Sequence, residues 1–233
     1  MPDRPMAAHL LALTSYRGAG MPLLPLTACT GLLGLDGLAF TLAPGGRGAE
    51  LLQHSGLLSG ALEDLQRVQG QGPTPEAAKQ SAMVLIPDVA AVATDRWPGL
   101  PGPLTDLGIA AVFALPLRIG VITLGVLTGH RTTPGPPADG QLADSLALAN
   151  ALAGLLINLA ARPGATGFLD VQIGDLYFAE VHQATGYLAT ELDVPPAQAL
   201  IRLRSHAFTH GLPLLATARA VLHHQLHLEN DRP

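Results

Sequence analysis

Arginine, glycine and small polar side chains recur along one C-terminal stretch of this chain, and arginine is the residue type there whose chemistry suits phosphate. Gln183, Thr185 and Gly186 come first, then Arg202-Leu203-Arg204, then Arg219. Arginine is the side chain best shaped for phosphate and for planar bidentate recognition. Arg202 and Arg204 stand two positions apart, so on a helix they point about 200° from each other and at most one can face a given groove. A solvated surface charge is the plain alternative for either arginine, and the favoured one for Arg202. Gly186 falls inside a helical pattern, where it costs about 1 kcal/mol relative to alanine. Close approach by a neighbouring helix or by an external backbone would each account for it. His223 and His227 have the i, i+4 spacing of a metal-binding pair, but no acidic third ligand stands in a persuasive place, so no metal is assigned. The single cysteine, Cys29, excludes an internal disulfide and a cysteine-based zinc cluster.

No arrangement for catalysis emerges. There is no Gly-x-Ser-x-Gly elbow and no P-loop, and Gly70-Gln71-Gly72-Pro73 lacks the third glycine and following helix of a dinucleotide fingerprint. Asp36, Asp64, Asp88, Asp95 and Asp106 are scattered, none beside a histidine. The expectation is a protein that is not an enzyme, has no catalytic residues and needs no cofactor.

The elements that must position these residues fall into two groups. Apolar residues make up 48% of the 233 positions, enough to bury a core, while 13% charged residues is sparse. The spacing predicts three short helices near the C-terminus. Tyr177, Val181, Ala184, Leu188 and Leu192 line the first; Leu200, Leu203 and Ala207 line the second, after Pro195-Pro196; Leu215, Ala218, Leu222 and Leu226 line the third. Upstream, a helix over 22–34 leads to a hairpin of strands 37–42 and 50–54, turning at 44–48. A helix over 57–68 follows, broken at 70–75, then a short helix at 76–81 and a buried strand at 83–86. After a loop around Trp97-Pro98, strands 110–117 and 120–127 join through Arg118-Ile119. A long helix closes the order over 142–161. This predicts an α+β fold: an antiparallel sheet flanked by helices in residues 1–161, a linker over 162–169, and an all-α three-helix domain in 170–233.

In the long helix, Leu142, Leu146, Ala149, Ala153, Leu156 and Ala160 are spaced 4, 3, 4, 3, 4, and Leu148, Leu152, Leu155 and Leu159 form a second line. Two apolar lines suggest two buried surfaces, one on the sheet and one in a homodimer; a single wide core-facing stripe is the plainer alternative. Asp144, Asn150 and Asn158 argue against a membrane span, and the N-terminus does not read as a signal peptide, so a cytoplasmic protein is expected.

The C-terminal block His182-Gln183-Ala184-Thr185-Gly186-Tyr187, Leu192-Asp193-Val194, Ala199 through Ala207, Gly211-Leu212-Pro213-Leu214 and Ala218-Arg219-Ala220-Val221 resembles the ANTAR domain of transcription antiterminators. Gly37, Asp64-Leu65-Gln66, Gly70-x-Gly72-Pro73, Pro87-Asp88, Trp97-Pro98, Ala114-Leu115-Pro116-Leu117 and Gly120-x-x-x-Leu124-Gly125 resemble the GAF domain, a small-ligand sensor. Together they look like the actinobacterial-type proteins that join the two. The resemblance implies a signal-responsive regulator that binds RNA stem-loops in leader transcripts, with Gln183, Thr185, Gly186, Arg202, Arg204 and Arg219 at the RNA. It also implies a small-molecule ligand in the GAF half, for which Trp97, Phe113 and Pro116 are pocket candidates; Trp97 reads equally well as a loop anchor in the core. Residues 170–233 hold four arginines, no lysine and seven acidic residues, a net charge of −3, and Leu212 stands where arginine is common in the family. The alternative is therefore a ligand-binding or protein-interaction regulator whose C-terminal domain no longer binds RNA.

Overall fold

The computed structural model describes residues 5–18, 20–43, 50–93, 95–161, 179–210 and 212–228. The expected hairpin turn at 44–48, the linker at 162–169 and Tyr177 lie outside them. Five strands form one antiparallel sheet: β1 (Gly37–Leu42), β2 (Glu50–His54), β3 (Val84–Ile86), β4 (Ala111–Ile119) and β5 (Ile122–Arg131), ordered β2-β1-β5-β4-β3. Strand alternation sends side chains to two faces. From Phe40, Leu115, Leu117 and Leu127 one core grows against α1 (Pro5–Thr14), α2 (Leu26–Leu33) and α6 (Asp139–Ala160). From Val112, Ala114 and Val126 the other grows against α3 (Leu57–Gln69), α4 (Pro73–Gln80) and α5 (Pro101–Asp106). A third cluster joins α7 (Ala179–Glu191), α8 (Pro196–Thr209) and α9 (Leu214–Leu222) to Ala39 and Leu51 of the sheet.

The GAF-like sheet with flanking helices is thus present, and three C-terminal helices follow it. Several expected boundaries shift. Arg118 and Ile119 lie inside β4, and the hairpin turns at Gly120-Val121 between the paired residues Ile119 and Ile122. Their β-branched side chains extend the strands beyond the apolar core, and Gly120 supplies the positive φ of 58° that the turn demands. Helix α4 starts at Pro73, directly after Gly72, because proline is preorganised for a helix's first turn. A helix therefore does follow Gly70-Gln71-Gly72. α5 and α1 had no counterpart in the sequence reading. The third C-terminal helix ends at Leu222, before His223, and buries Leu214, Thr217, Ala218 and Val221; Leu215, Leu222 and Leu226 pack only partly.

Helix α1 changes the meaning of the long helix. Met6, Leu10 and Leu13 pack in the same core as α6, where Leu148, Ala149, Leu152, Ala153, Leu155 and Leu156 are buried. Members of both apolar lines are therefore covered within one chain, and the second line does not require a second copy. α6 is long and apolar enough to cross a membrane by composition; here it is the layer over the sheet. Its first turn is fixed by Gln141, whose carbonyl oxygen accepts from the Ala138 N–H and from Arg131 Nη2.

Gly125 on β5 shows how closely β1 and β5 approach. A Cβ there would stand 2.2 Å from the Thr41 carbonyl oxygen, a backbone atom that cannot yield. Gly154, on α6, has nothing within 4 Å of its would-be Cβ. Gly125→Ala is expected to cost about 2–4 kcal/mol in urea denaturation or to abolish folding, whereas Gly154→Ala should be neutral or stabilising by up to about 1 kcal/mol.

Candidate functional site around the third helix

Helix α3 is covered on two sides, which decides the fate of its polar residues. Leu62 faces the second core and is fully buried. Ser59, Glu63, Asp64, Gln66 and Arg67 are buried as well. The helix ends at Gly70, whose φ of 66° suits only a residue without a side chain penalty and whose N–H returns to the Arg67 carbonyl.

Toward the sheet, these residues build a closed hydrogen-bonded set. Thr74 Oγ1 donates to Glu63 Oε1 at 2.8 Å and lies 2.8 Å from Thr128 Oγ1. Gln66 Nε2 reaches Thr74 Oγ1 at 2.9 Å, and its own oxygen accepts the Thr74 N–H at 2.8 Å. Burial pushes the Glu63 carboxyl up to about 7 despite its hydrogen bonds to Thr74, Thr128 and Gln66 and the nearby Arg67 charge. Two residues beyond Thr128 on β5 is His130, buried, with neither ring nitrogen hydrogen-bonded among the described residues. Burial lowers its pKa, so it sits as a neutral imidazole although Asp36 opposes the shift. A side chain at Gly37 would collide with His130 and Ser59, which explains why a glycine opens β1.

Toward the C-terminal helices, α3 supplies a latch. Asp64 Oδ2 accepts the Leu214 N–H at 2.9 Å, so a carboxylate from the sheet half caps the first turn of α9. Burial raises the Asp64 carboxyl to about 6 against the pull of the Leu214 and Leu215 amides and of Arg67. Arg67 Nη2 pairs with Glu50 Oε2 of β2 at 3.3 Å, both side chains buried, and the same Glu50 oxygen is hydrogen-bonded by His182 of α7. Truncating one partner of such a buried pair typically costs about 3–5 kcal/mol.

The residues assigned to RNA from sequence are not gathered on one surface. Gln183 and Gly186 are exposed on α7, and nothing lies within 4 Å of a Cβ at Gly186. Among the described residues, no helix packs against it. Thr185 is buried, its hydroxyl turned back to the Val181 carbonyl at 2.6 Å; its place on the inner side of α7 rules out surface contact. Arg219 is exposed but held by Glu180 at 2.8 Å. Arg202 and Arg204 do point apart. Arg202 lines one groove with His206, His210 and His227, while Arg204 is partly buried beside Gly70, at the end of α3. The three pocket candidates also separate. Trp97 belongs to the core on the α3 side, its Nε1 donating to Glu76 and its ring under Arg96. Phe113 faces the opposite side of the sheet, against Leu38, Leu115 and Leu142, where a cavity of about 10 Å³ has room for no more than one water. Because alternate residues of β4 face opposite ways, Pro116 shares the face of Val112 and Ala114 while Phe113 does not. Trp97 is therefore a loop anchor. Among the described residues no three histidine, cysteine or acidic side chains are placed to hold a metal.

The antiparallel sheet with flanking helices agrees with the sequence comparison. Residues 24–157, more than half of the chain, match the family model for the GAF domain, and the chain belongs to the GAF domain family. Among solved structures, the GAF domain of the Acinetobacter phosphoenolpyruvate-protein phosphotransferase is 13% identical with a TM-score of 0.51, over 68% of this chain and 94% of that one. The corresponding GAF domain from Coxiella burnetii is 15% identical with a TM-score of 0.46, over 68% and 96%. The type II free methionine-R-sulfoxide reductase of Thermoplasma acidophilum is 16% identical with a TM-score of 0.42, over 57% and 90%. No curated protein matches the chain. No match to an ANTAR domain or antiterminator family accompanies the GAF match.

Glu63 binds its proton more tightly folded than unfolded, so its contribution to stability is full below about pH 4.5 and is lost as pH rises through about 7. The stake is on the order of 3 kcal/mol. Glu63→Gln should flatten the pH dependence of the urea midpoint between pH 5 and 8. Gly186→Ala should raise stability by about 0.5–1 kcal/mol, since it removes a helix glycine against which none of the described residues packs.

Proposed function

We propose that this chain is a signal-responsive regulator in which the GAF half holds a three-helix output module in a docked, silent arrangement. The observation that carries the proposal is the latch on α3: Asp64 caps α9, Glu50 pairs with His182, and Arg204 lies against the end of the same helix. Arg204 is the residue that matches the arginine of the ANTAR-like block. In the docked arrangement a phosphate of an RNA stem-loop reaches it only from the side. A ligand event in the GAF half that shifts α3 would loosen the latch and bare Arg204 together with Gln183, Gly186 and Arg202. The output would then be binding of leader-transcript stem-loops and antitermination, carried out in the cytoplasm. Dimerisation belongs to the released state in this reading, through surface that docking covers.

A regulator that acts through ligand or protein contact without RNA is the second reading. It is favoured by the net charge of −3 over residues 170–233 and by the neutralisation of Arg219 by Glu180. Gel shifts with paired stem-loop RNAs separate the two. The intact chain should bind weakly, and the Asp64→Ala/His182→Ala double variant should bind roughly tenfold or more tightly, with the gain lost on adding Arg204→Ala. If the double variant remains folded and binds no tighter than the intact chain, the RNA reading fails and the second stands.

A further inference from the structure

The groove beside Arg204 has features of a binding site in its own right, on the outer side of α3 and separate from the layer beneath it. Its volume is about 370 Å³, and it is lined by Val68, Gln69, Gly70, Gln71 and Pro98 on one side and by Ile201, Arg204, Ser205 and Phe208 on the other. The four α8 residues are spaced 3, 1 and 3, so they share one helix face. That volume is in the range of small-molecule sites, about 300–1,000 Å³.

Two observations point to what would fill it. First, Arg204 makes no hydrogen bond or ion pair with the described residues, and its Nε is buried without a partner. A guanidinium is an always-charged fork of donors, and burying one unpaired is costly. The neighbouring charge is Arg67, of the same sign; Glu50 and Asp64 are engaged by Arg67, His182 and the α9 amides. The carbonyl end of α3 gives Arg204 some compensation through the helix dipole, but no hydrogen bond. Second, Ile201 and Phe208 flank it, each 62% exposed. Large apolar side chains this open beside an unpaired cation make a mixed surface, with Ser205 and the amide of Gln71 among its polar groups. Gln71 and Gln69 are tied to the Pro98 and Gly99 carbonyls, so the loop wall is fixed.

We propose that this groove binds a small organic anion, a carboxylate or phosphate ester with a compact apolar body. Its charged group pairs with Arg204, and its body covers Ile201 and Phe208. Because one wall is the end of α3 with its following loop and the other is α8, the bound anion bridges the GAF half and the output helices. It thereby favours the docked arrangement, and this last consequence alone rests on the function proposed above.

Calorimetric titration of the full chain with phenyl phosphate, benzoate, inorganic phosphate and the neutral benzamide tests the site without reference to RNA. Phenyl phosphate and benzoate should bind saturably in the micromolar to millimolar range, inorganic phosphate more weakly, and benzamide not at all. Arg204→Gln should weaken both organic anions roughly tenfold or more, the loss of a charge-assisted bidentate contact. Phe208→Ala should weaken phenyl phosphate and leave inorganic phosphate unchanged. Both side chains are without structural partners that their loss would orphan, and circular dichroism verifies the fold. No saturable binding of either organic anion to the intact chain overturns the proposal, as does equal binding by Arg204→Gln. If the anions bind while the latch variants gain no RNA affinity, this site stands and the antitermination reading falls.

Discussion

Burial of charge on both flanks of α3 is the constraint on which the rest of the structure depends. A helix between a sheet and solvent can leave its polar residues in water; this one is roofed by α8 and α9, so Glu63, Asp64 and Arg67 must find partners inside. They do so in opposite directions. Glu63 turns inward to Thr74, Thr128 and Gln66, while Asp64 and Arg67 turn outward to the α9 amides and to Glu50. The inward set specifies how α3 sits on the sheet, and the outward set specifies where the C-terminal helices rest. One turn of helix thus ties the geometry of the sheet half to that of the C-terminal helices.

The two sets differ in how they would respond to change. The inward set is closed, with a hydroxyl, an amide and a protonatable carboxyl satisfying one another, and with His130 beside it as a buried neutral imidazole. Such a layer resists small displacements because each lost bond leaves a buried polar atom unpaired. In the outward set, Asp64 Oδ1, Glu50 Oε1 and Arg204 Nε are buried without partners among the described residues, where the inward side has only the His130 ring so placed. An interface with unfinished pairing is the weaker seam, and it is the one that joins the two halves.

Much of this architecture was legible from spacing. The first hairpin, α3 and the inner faces of the C-terminal helices follow from apolar periods of 2 and 3.6, and Val181, Ala184, Leu188, Leu203 and Ala207 are buried as those periods require. Helix α1 was missed because the N-terminal apolar stretch is short and lacks a cap signal. With α1 in place, members of both apolar lines on α6 are buried within the chain. The site was harder. Periodicity marks apolar residues for burial and polar ones for solvent, so Asp64 and Arg67 carried no sign that a distant helix would cover them. Phe113 and Trp97 read alike as aromatic pocket candidates, yet strand alternation places Phe113 on one side of the sheet and a loop carries Trp97 to the other. Thr185 stands four residues after Val181, so the spacing that marks the inner face of α7 also turns this residue inward, where it is buried.

The carboxylate cap that α3 lends to α9 has a bearing on ancestry. A helical trio whose last member starts on an aspartate 150 residues upstream is not a free cassette. Transplanted behind another sensor, it would arrive with a bare helix start and with His182 facing a strand that offers no acid. Recombination of such halves would therefore succeed chiefly among sensors that already present an acid at both places, so the two segments should have been inherited as a pair.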